Sequence, residues 1–354
     1  MSESGKIISE AKARRLCEEL LKAYGAPEPE ARIVADVLVA GSLRGVDSHG
    51  LQLLPRYLIR IERGLVKPGA KIEVLRDGPA TALIDGGMGF GAVVGKRAMG
   101  LAIEKADRCG IGAVGVRRVD HFGIAAYYAM MAADRGMIGI VTANASPGIA
   151  PTGGMKPALG TNPIAIAIPA GRYRPIVVDM ATAAIPKNKL LLAAKKGERI
   201  PPGLALDSEG RPTTDPAEAL KGAILPAAGP KGYGLAVAVD ALSGALTGSA
   251  CALDVISIGS SMTEPPNIGN FFMAIKVDAF IPLEEFKAKI DKMIEDIKRV
   301  PKAPGVSEIL MPGEPEFRTA DKRAKEGIPI DGETWKQLRD LAAQKGIDLE
   351  ALVG

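Results

Sequence analysis

The 354 residues contain two histidines, and each stands in a short polar stretch beside glycine: Val46-Asp47-Ser48-His49-Gly50 and Arg118-Val119-Asp120-His121-Phe122-Gly123. An imidazole titrates near neutrality, so it can take and return a proton at physiological pH. His121 falls between the apolar run IGAVGVRRV and the helically spaced run IAAYYAMMAADRG. Ligands of α/β proteins collect at the ends of strands, and a helix N-terminus there favours an anion. Gly123 is expected to leave room beside the ring. These features point to an acid–base role for His121, against the plainer reading of a packed structural histidine.

Ser48 and His49, with Asp47 and Arg44 nearby, have the residue types of a serine hydrolase. Triads assemble from distant segments, however, and the chain has no G-x-S-x-G elbow. The plainer expectation is that Ser48 or Asp47 caps a helix starting near Leu51, which would also fix His49. Two glycine-rich stretches invite phosphate binding. LIDGGMGFGAVVG imitates a dinucleotide fingerprint, but its spacing is G-x-G-x-G, and the next strand ends in Arg117-Arg118 without the usual acid. A turn packed near a helix suits it better. In AAGPKGYG, Lys231 stands among Gly229, Gly232 and Gly234, which suits a phosphate or carboxylate as well as it suits an ordinary helix start.

The elements that must hold these residues read as follows. Leu16, Cys17, Leu20, Leu21 and Tyr24 share a helical face stopped by Gly25, and a second helix runs from Pro29 to about Leu43. A third follows VDSHG and ends at Gly64. From residue 71 strands and helices alternate: KIEVL and TALIDG as a hairpin, a helix, IGAVGVRRV, a helix, MIGIVTANA, then PIAIAIPA and PIVVDMA. SPGIAPTGGMKPALGTNP and LDSEGRPTTDPAEAL read as loops. FFMAIKVDAF is a late strand. In LEEFKAKIDKMIEDIKRV a helix turns Phe286, Ile290, Met293, Ile294 and Ile297 inward, and GETWKQLRDLAAQKGI is one more helix, stopped by Gly346.

Composition narrows the function. A net charge of +4 from 45 basic and 41 acidic residues, with 4% aromatics, argues against a nucleic-acid partner. The three scattered cysteines read as reduced thiols of a cytoplasmic protein, and no Cys/His spacing suits a metal. There is no signal core and no apolar run that would span a membrane.

The stretches RGVDSHGLQLLPRY, VDHFGIAAYY, GTNPIAIAIPA, VVDMAT, LPAAGPKGYGLAVAVDALSGAL and EILMPGEPE, in this order from about residue 10 to 345, resemble the malate/L-lactate dehydrogenase family of the non-Rossmann type. Sulfolactate, ureidoglycolate and 2,3-diketogulonate enzymes are among that family. The resemblance implies an α/β fold with a largely antiparallel sheet in a cofactor domain (71–299) beside a helical domain (1–70 with 300–354). It implies a homodimer with the site between the two parts, and hydride transfer between NAD or NADP and a small 2-hydroxy or 2-oxo acid. Malate or L-lactate is the first expectation, a sulfolactate- or ureidoglycolate-like acid the alternative.

By resemblance His121 is the acid–base, and Ser48 and His49 hold and polarise substrate, with Arg44 and Tyr57 as further substrate contacts. Cofactor contacts fall on His121, Phe122, Gly123, Ile124 and Ala125, on Asn144 and Ala145, on Asp179, Met180 and Ala181, and on Lys231. Leu53 stands where many malate and lactate members carry an arginine that would clamp a carboxylate, and this weighs against malate. Asn188 stands where glycine is usual, and Lys189 where imino-acid reductases tend to carry aspartate. Arg117, Arg118, Arg172 and Arg174 are the candidates to meet a 2′-phosphate.

Overall fold

Alternation of buried and exposed residues in TALID, MIGIVTA and IAIAI builds half-covered strands, and the strands assemble into one central sheet. The computed structural model describes residues 5–257, 261, 263–265 and 267–353. Residues 1–4 and 354, the outer limits of the expected helical domain, lie outside the described residues. The N-terminal layer comprises β1 (Lys6–Ile8), α1 (Glu10–Ala23), α2 (Glu28–Leu43) and α3 (Leu54–Glu62). Next come β2 (Glu73–Asp77), β3 (Thr81–Asp85), α4 (Gly91–Cys109), β4 (Ile111–Arg117), α5 (Ala125–Ala133), β5 (Met137–Ala143), β6 (Ile164–Ile168) and β7 (Ile176–Met180). An insertion holds α6 (Lys187–Lys196), β8 (Ala205–Leu206), β9 (Pro212–Thr213), α7 (Pro216–Lys221) and β10 (Ala223–Ile224). The chain closes with α8 (Pro230–Ser243), β11 (Asn270–Lys276), α9 (Leu283–Arg299), α10 (Glu314–Glu326), β12 (Ile328–Ile330), α11 (Gly332–Gln344) and α12 (Leu349–Val353).

The central sheet has the order β2-β3-β4-β11-β5-β6-β7, and β3 with β4 is its one parallel pair. The expected mixed fold with a largely antiparallel sheet is therefore what the chain adopts. Helices α4 and α5 pack on one face. On the other, α8 reaches β5 through Ser243 Oγ and Thr142 Oγ1, 2.7 Å apart.

The two ends of the chain come together. Strand β1 pairs with β12, and the Tyr24 hydroxyl donates to the Leu341 carbonyl at 3.1 Å. Trp335, Leu338 and Leu341 bury against this layer. One continuous apolar core nevertheless runs from Ile8 through α4 and the sheet to Val353. The 300–313 stretch leans instead on the sheet: Val177 N–H donates to the Pro312 carbonyl, and Met311 packs with Ile176 and Ile294.

Three local expectations change. LDSEGRPTTDPAEAL is not all loop, because Asp215 caps α7 through the N–H groups of Ala217 and Glu218. On α9, Met293 and Ile297 are exposed and of the five expected residues only Ile294 is buried, because just one side of the helix meets β7 and its neighbours. The helix after VDSHG is not capped by Ser48 or Asp47. Asp47-Ser48-His49 is itself a 3₁₀ turn, Asp47 pairs with Arg323 at 2.5 Å, and Ser42 Oγ accepts the Leu51 N–H at 2.9 Å.

Candidate active site

The two histidines come together across the boundary between the helical layer and the sheet. Their ring centroids are 5.4 Å apart with a 34° tilt. His49 arrives on the 3₁₀ turn between α2 and α3, with Ser48 Oγ 2.9 Å from its Nδ1. His121 arrives on the short link from β4 to α5. Solvent reaches both rings, yet protein surrounds them closely enough to displace most bulk water.

Packing dictates where His121 sits. Helix α4 begins at Gly91, where a Cβ would stand 2.1 Å from the Asp120 carbonyl oxygen and 2.4 Å from that of His121. The last glycine of GMGFG thus lets a helix abut the link that carries His121, and no phosphate fits between them. Gly123 has φ +82°, and a Cβ there would meet Val37 Cγ1 at 2.5 Å. The room expected beside the imidazole is filled by Val37, and the positive φ is what turns the chain into α5.

Helix α3 supplies the partners of this link. The Tyr57 hydroxyl lies 2.8 Å from His121 Nδ1, and the Gly123 N–H donates to the same nitrogen at 3.2 Å. A backbone N–H can only donate, so Nδ1 carries the lone pair and the neutral ring holds its proton on Nε2. One turn further along α3, Arg60 Nε donates to Asp120 Oδ2 at 2.9 Å, with both side chains buried. Asp120 Oδ1 accepts the N–H of His121 at 2.8 Å. Burial raises the Asp120 carboxyl, while Arg60 and the His121 N–H oppose that shift.

Burial, with neighbouring charge, holds both imidazoles toward the neutral form. Burial first, then His49, Arg56 and Arg60, push His121 down to about 3. Burial and Arg56 lower His49 as well. Burial raises the Tyr57 hydroxyl far above its ordinary range, so it stays protonated. Protein packs closely around both histidines while solvent still reaches them, an arrangement able to present a neutral base to a small polar molecule.

The other expected residues separate into two groups. Asp179, Met180 and Ala181 lie at the end of β7, where solvent reaches them. Asp179 Oδ2 accepts the Ala126 N–H at 3.0 Å, so the N-terminus of α5 already faces a carboxylate. Burial pushes that carboxyl up to about 6. Lys231 is exposed in the first turn of α8, whose N-terminus has no side-chain cap. These exposed positions fit a bound dinucleotide.

The second group is engaged elsewhere. Phe122, Ile124 and Ala125 are buried, with Phe122 stacked on Tyr128 at 5.1 Å. Asn144 Nδ2 donates to Asp240 and to the Ala250 carbonyl, its Oδ1 accepts the Gly269 N–H, and the Ala145 N–H goes to Asn162 Oδ1. Those side chains hold the fold. Arg44 is 7% exposed and lies over the Phe317 ring at 4.6 Å, with Met130 Sδ 3.6 Å away. Phe317 and Met130 line a separate cavity of about 400 Å³ that none of the histidine-site residues lines.

Reasoning from sequence missed Arg60, Asp120 and Arg56. The Tyr57–Arg60 spacing of three on one helix was the available signal, since such residues share a face. As for hydrolysis, Ser48 does meet His49, but Asp47 is held by Arg323 and cannot orient that imidazole.

Fold and site together place two paired imidazoles between a helical layer and a largely antiparallel sheet. The chain matches the malate/L-lactate dehydrogenase family over residues 8–339 and belongs to it. It is 44% identical to L-sulfolactate dehydrogenase of Methanocaldococcus jannaschii, over 97% of this chain and 98% of that one. It is 47% identical to a malate dehydrogenase of Pyrococcus horikoshii, over 93% of this chain and 92% of that one. The solved structure of the Methanocaldococcus jannaschii sulfolactate dehydrogenase superposes with a TM-score of 0.93 at 43% identity, covering 98% of this chain and 99% of that one.

Proposed function

We propose that the protein is a nicotinamide-dependent dehydrogenase of small 2-hydroxy acids, with His121 as the acid–base. The observation that carries this reading is the pairing of His121 Nδ1 with the Tyr57 hydroxyl beside a second imidazole, with both histidines partly open to solvent. A bound nicotinamide dinucleotide supplies the hydride acceptor for oxidation, or the donor for reduction. Asp179, Met180, Ala181 and Lys231 would hold it. Arg117 and Arg118 pair with Asp85, Arg172 with Asp291 and Glu295, and Arg174 with Asp321. All four arginines considered for a 2′-phosphate are thus already paired, which favours NAD over NADP.

Proton transfer falls to this chain's own groups. Oxidation of an alcohol requires a base, and a depressed pKa keeps the ring neutral and ready. For Nε2 to accept, the ring proton must move to Nδ1. The Tyr57 hydroxyl permits this because it donates when Nδ1 is bare and accepts when Nδ1 is protonated, while the longer Gly123 N–H contact, at 3.2 Å, must then open. A carboxylate partner would lock one form. In reduction, the carboxylate of a bound 2-oxo acid stabilises the protonated ring by proximity of opposite charge. Ser48 and His49 orient that carboxylate.

The same reading makes the protein a cytoplasmic homodimer. Its support lies in Cys17, Cys109 and Cys251, all free thiols, and in α8, an apolar helix with Val237 43% and Leu242 37% exposed beside Leu246 at 63%. A helix apolar on every side is normally covered. No helix among the described residues is long and apolar enough to cross a membrane.

The test is a panel of 2-oxo acids with NADH or NADPH, read at the reduced-nicotinamide band. Turnover of pyruvate, oxaloacetate or sulfopyruvate is expected, and inertness toward every 2-oxo acid with both cofactors refutes the reading. Tyr57→Phe is expected to lower kcat by about 10- to 100-fold, because the ring loses the partner that serves both tautomers. Steady-state kinetics check this, with KM little altered.

A further inference from the structure

The arginines around the two imidazoles differ in what they already hold. Arg60 is buried and committed to Asp120. Arg323 pairs with Asp47, and Arg44 is buried over Phe317. Arg56 alone of these is exposed, and it makes no hydrogen bond or ion pair among the described residues. It precedes Tyr57, whose hydroxyl touches His121, and stands four residues before Arg60 on the same face of α3. Its charge helps hold both His49 and His121 in the neutral form. Leu53, one turn earlier, is buried and carries no charge.

We infer that Arg56 is a specificity-determining residue: it receives the second anionic group, carboxylate or sulfonate, of a dianionic 2-hydroxy acid. The inference rests on the dehydrogenase reading and names the substrate class for that site. A guanidinium presents paired N–H groups that match the oxygens of a carboxylate or sulfonate. Ser48 and His49 serve the carboxylate next to the carbinol, which leaves Arg56 for the far end. Lactate ends there in a methyl group and leaves the guanidinium without a partner. A dianion also cancels the charge that opposes protonation of His121, so the same contact that binds substrate helps the ring hold its proton.

The experiment compares wild type, Arg56→Gln and Arg56→Lys with malate, sulfolactate and L-lactate. Arg56 is exposed, so both variants are expected to melt like wild type. In Arg56→Gln the ratio of kcat/KM for a dianion to that for lactate is expected to fall by about 30- to 100-fold, mainly through KM. Arg56→Lys should recover part of it. A fall confined to malate or to sulfolactate identifies the group as carboxylate or sulfonate and supports the assignment. An unchanged ratio, or equal losses for all three acids, overturns it. Thermal shifts with malate against lactate, with and without NAD, separate this from failure of the dehydrogenase reading. If wild type turns over none of the acids, a malate-specific stabilisation lost in Arg56→Gln still supports the anion site, and its absence from wild type or its survival in the variant sinks it.

Discussion

Asparagine in place of His121 is expected to lower kcat by about 10²- to 10⁴-fold, the contribution of a positioned acid–base. Asparagine keeps a polar side chain of similar reach, but it cannot hold and release a proton near neutrality. The backbone of the link is fixed independently, by Asp120, Gly91 and Gly123, so the variant should keep its shape. Binding of NADH, followed by nucleotide fluorescence, should therefore change little while turnover is lost. Full activity in the variant would remove the proposed mechanism.

The pH dependence of wild type follows from the same residue. The ordinary value of an imidazole is 6.5, and here it is lowered to about 3. In the free enzyme the base remains unprotonated well below pH 6.5. The acid limb of kcat/KM for alcohol oxidation should thus not appear near 6.5, where an unperturbed histidine would place it. Stability has the matching sign. The unfolded chain binds a proton at this residue below about 6.5 while the folded chain does not, so this contribution is present above 6.5 and is lost as pH falls toward 3. His121→Asn should remove that part of the acid destabilisation.

Arg60→Met is expected to cost about 3–5 kcal/mol of folding stability, the penalty for leaving a buried charge without its partner. Asp120 would keep the N–H of His121 and lose its cation in a site almost closed to water. Guanidinium unfolding monitored by circular dichroism measures the change through its midpoint. The double variant Arg60→Met, Asp120→Leu should recover much of the stability, because no unpaired carboxylate remains. Its activity should stay low, since the His121 N–H then lacks the acceptor that fixes the link. A single variant as stable as wild type would show that the pair does not bear on the fold.

The sequence by itself determined a good deal. Period-two and helical patterns located every strand of the central sheet and most long helices, because burial of one face is written locally. The scarcity of histidine, with its glycine neighbours, picked out both members of the pair. Sheet order did not follow from pattern: β11 inserts between β4 and β5 from far along the chain, and no local signal encodes a partner that distant. Short elements such as β8–β10 and α7 were also illegible, since a few residues carry no period.

What only the tertiary structure decided is the division of labour among residues of similar type. Arg44, Arg56 and Arg60 look alike in sequence, yet one packs over an aromatic ring, one faces solvent and one neutralises a buried acid. Asn144 and Phe122 stand in motifs expected to meet a cofactor, and their side chains hold the interior together. The physical reason is that a side chain's role depends on which partners remove it from water, and many of those partners come from distant segments, as Asp120 does for Arg60 and Phe317 for Arg44.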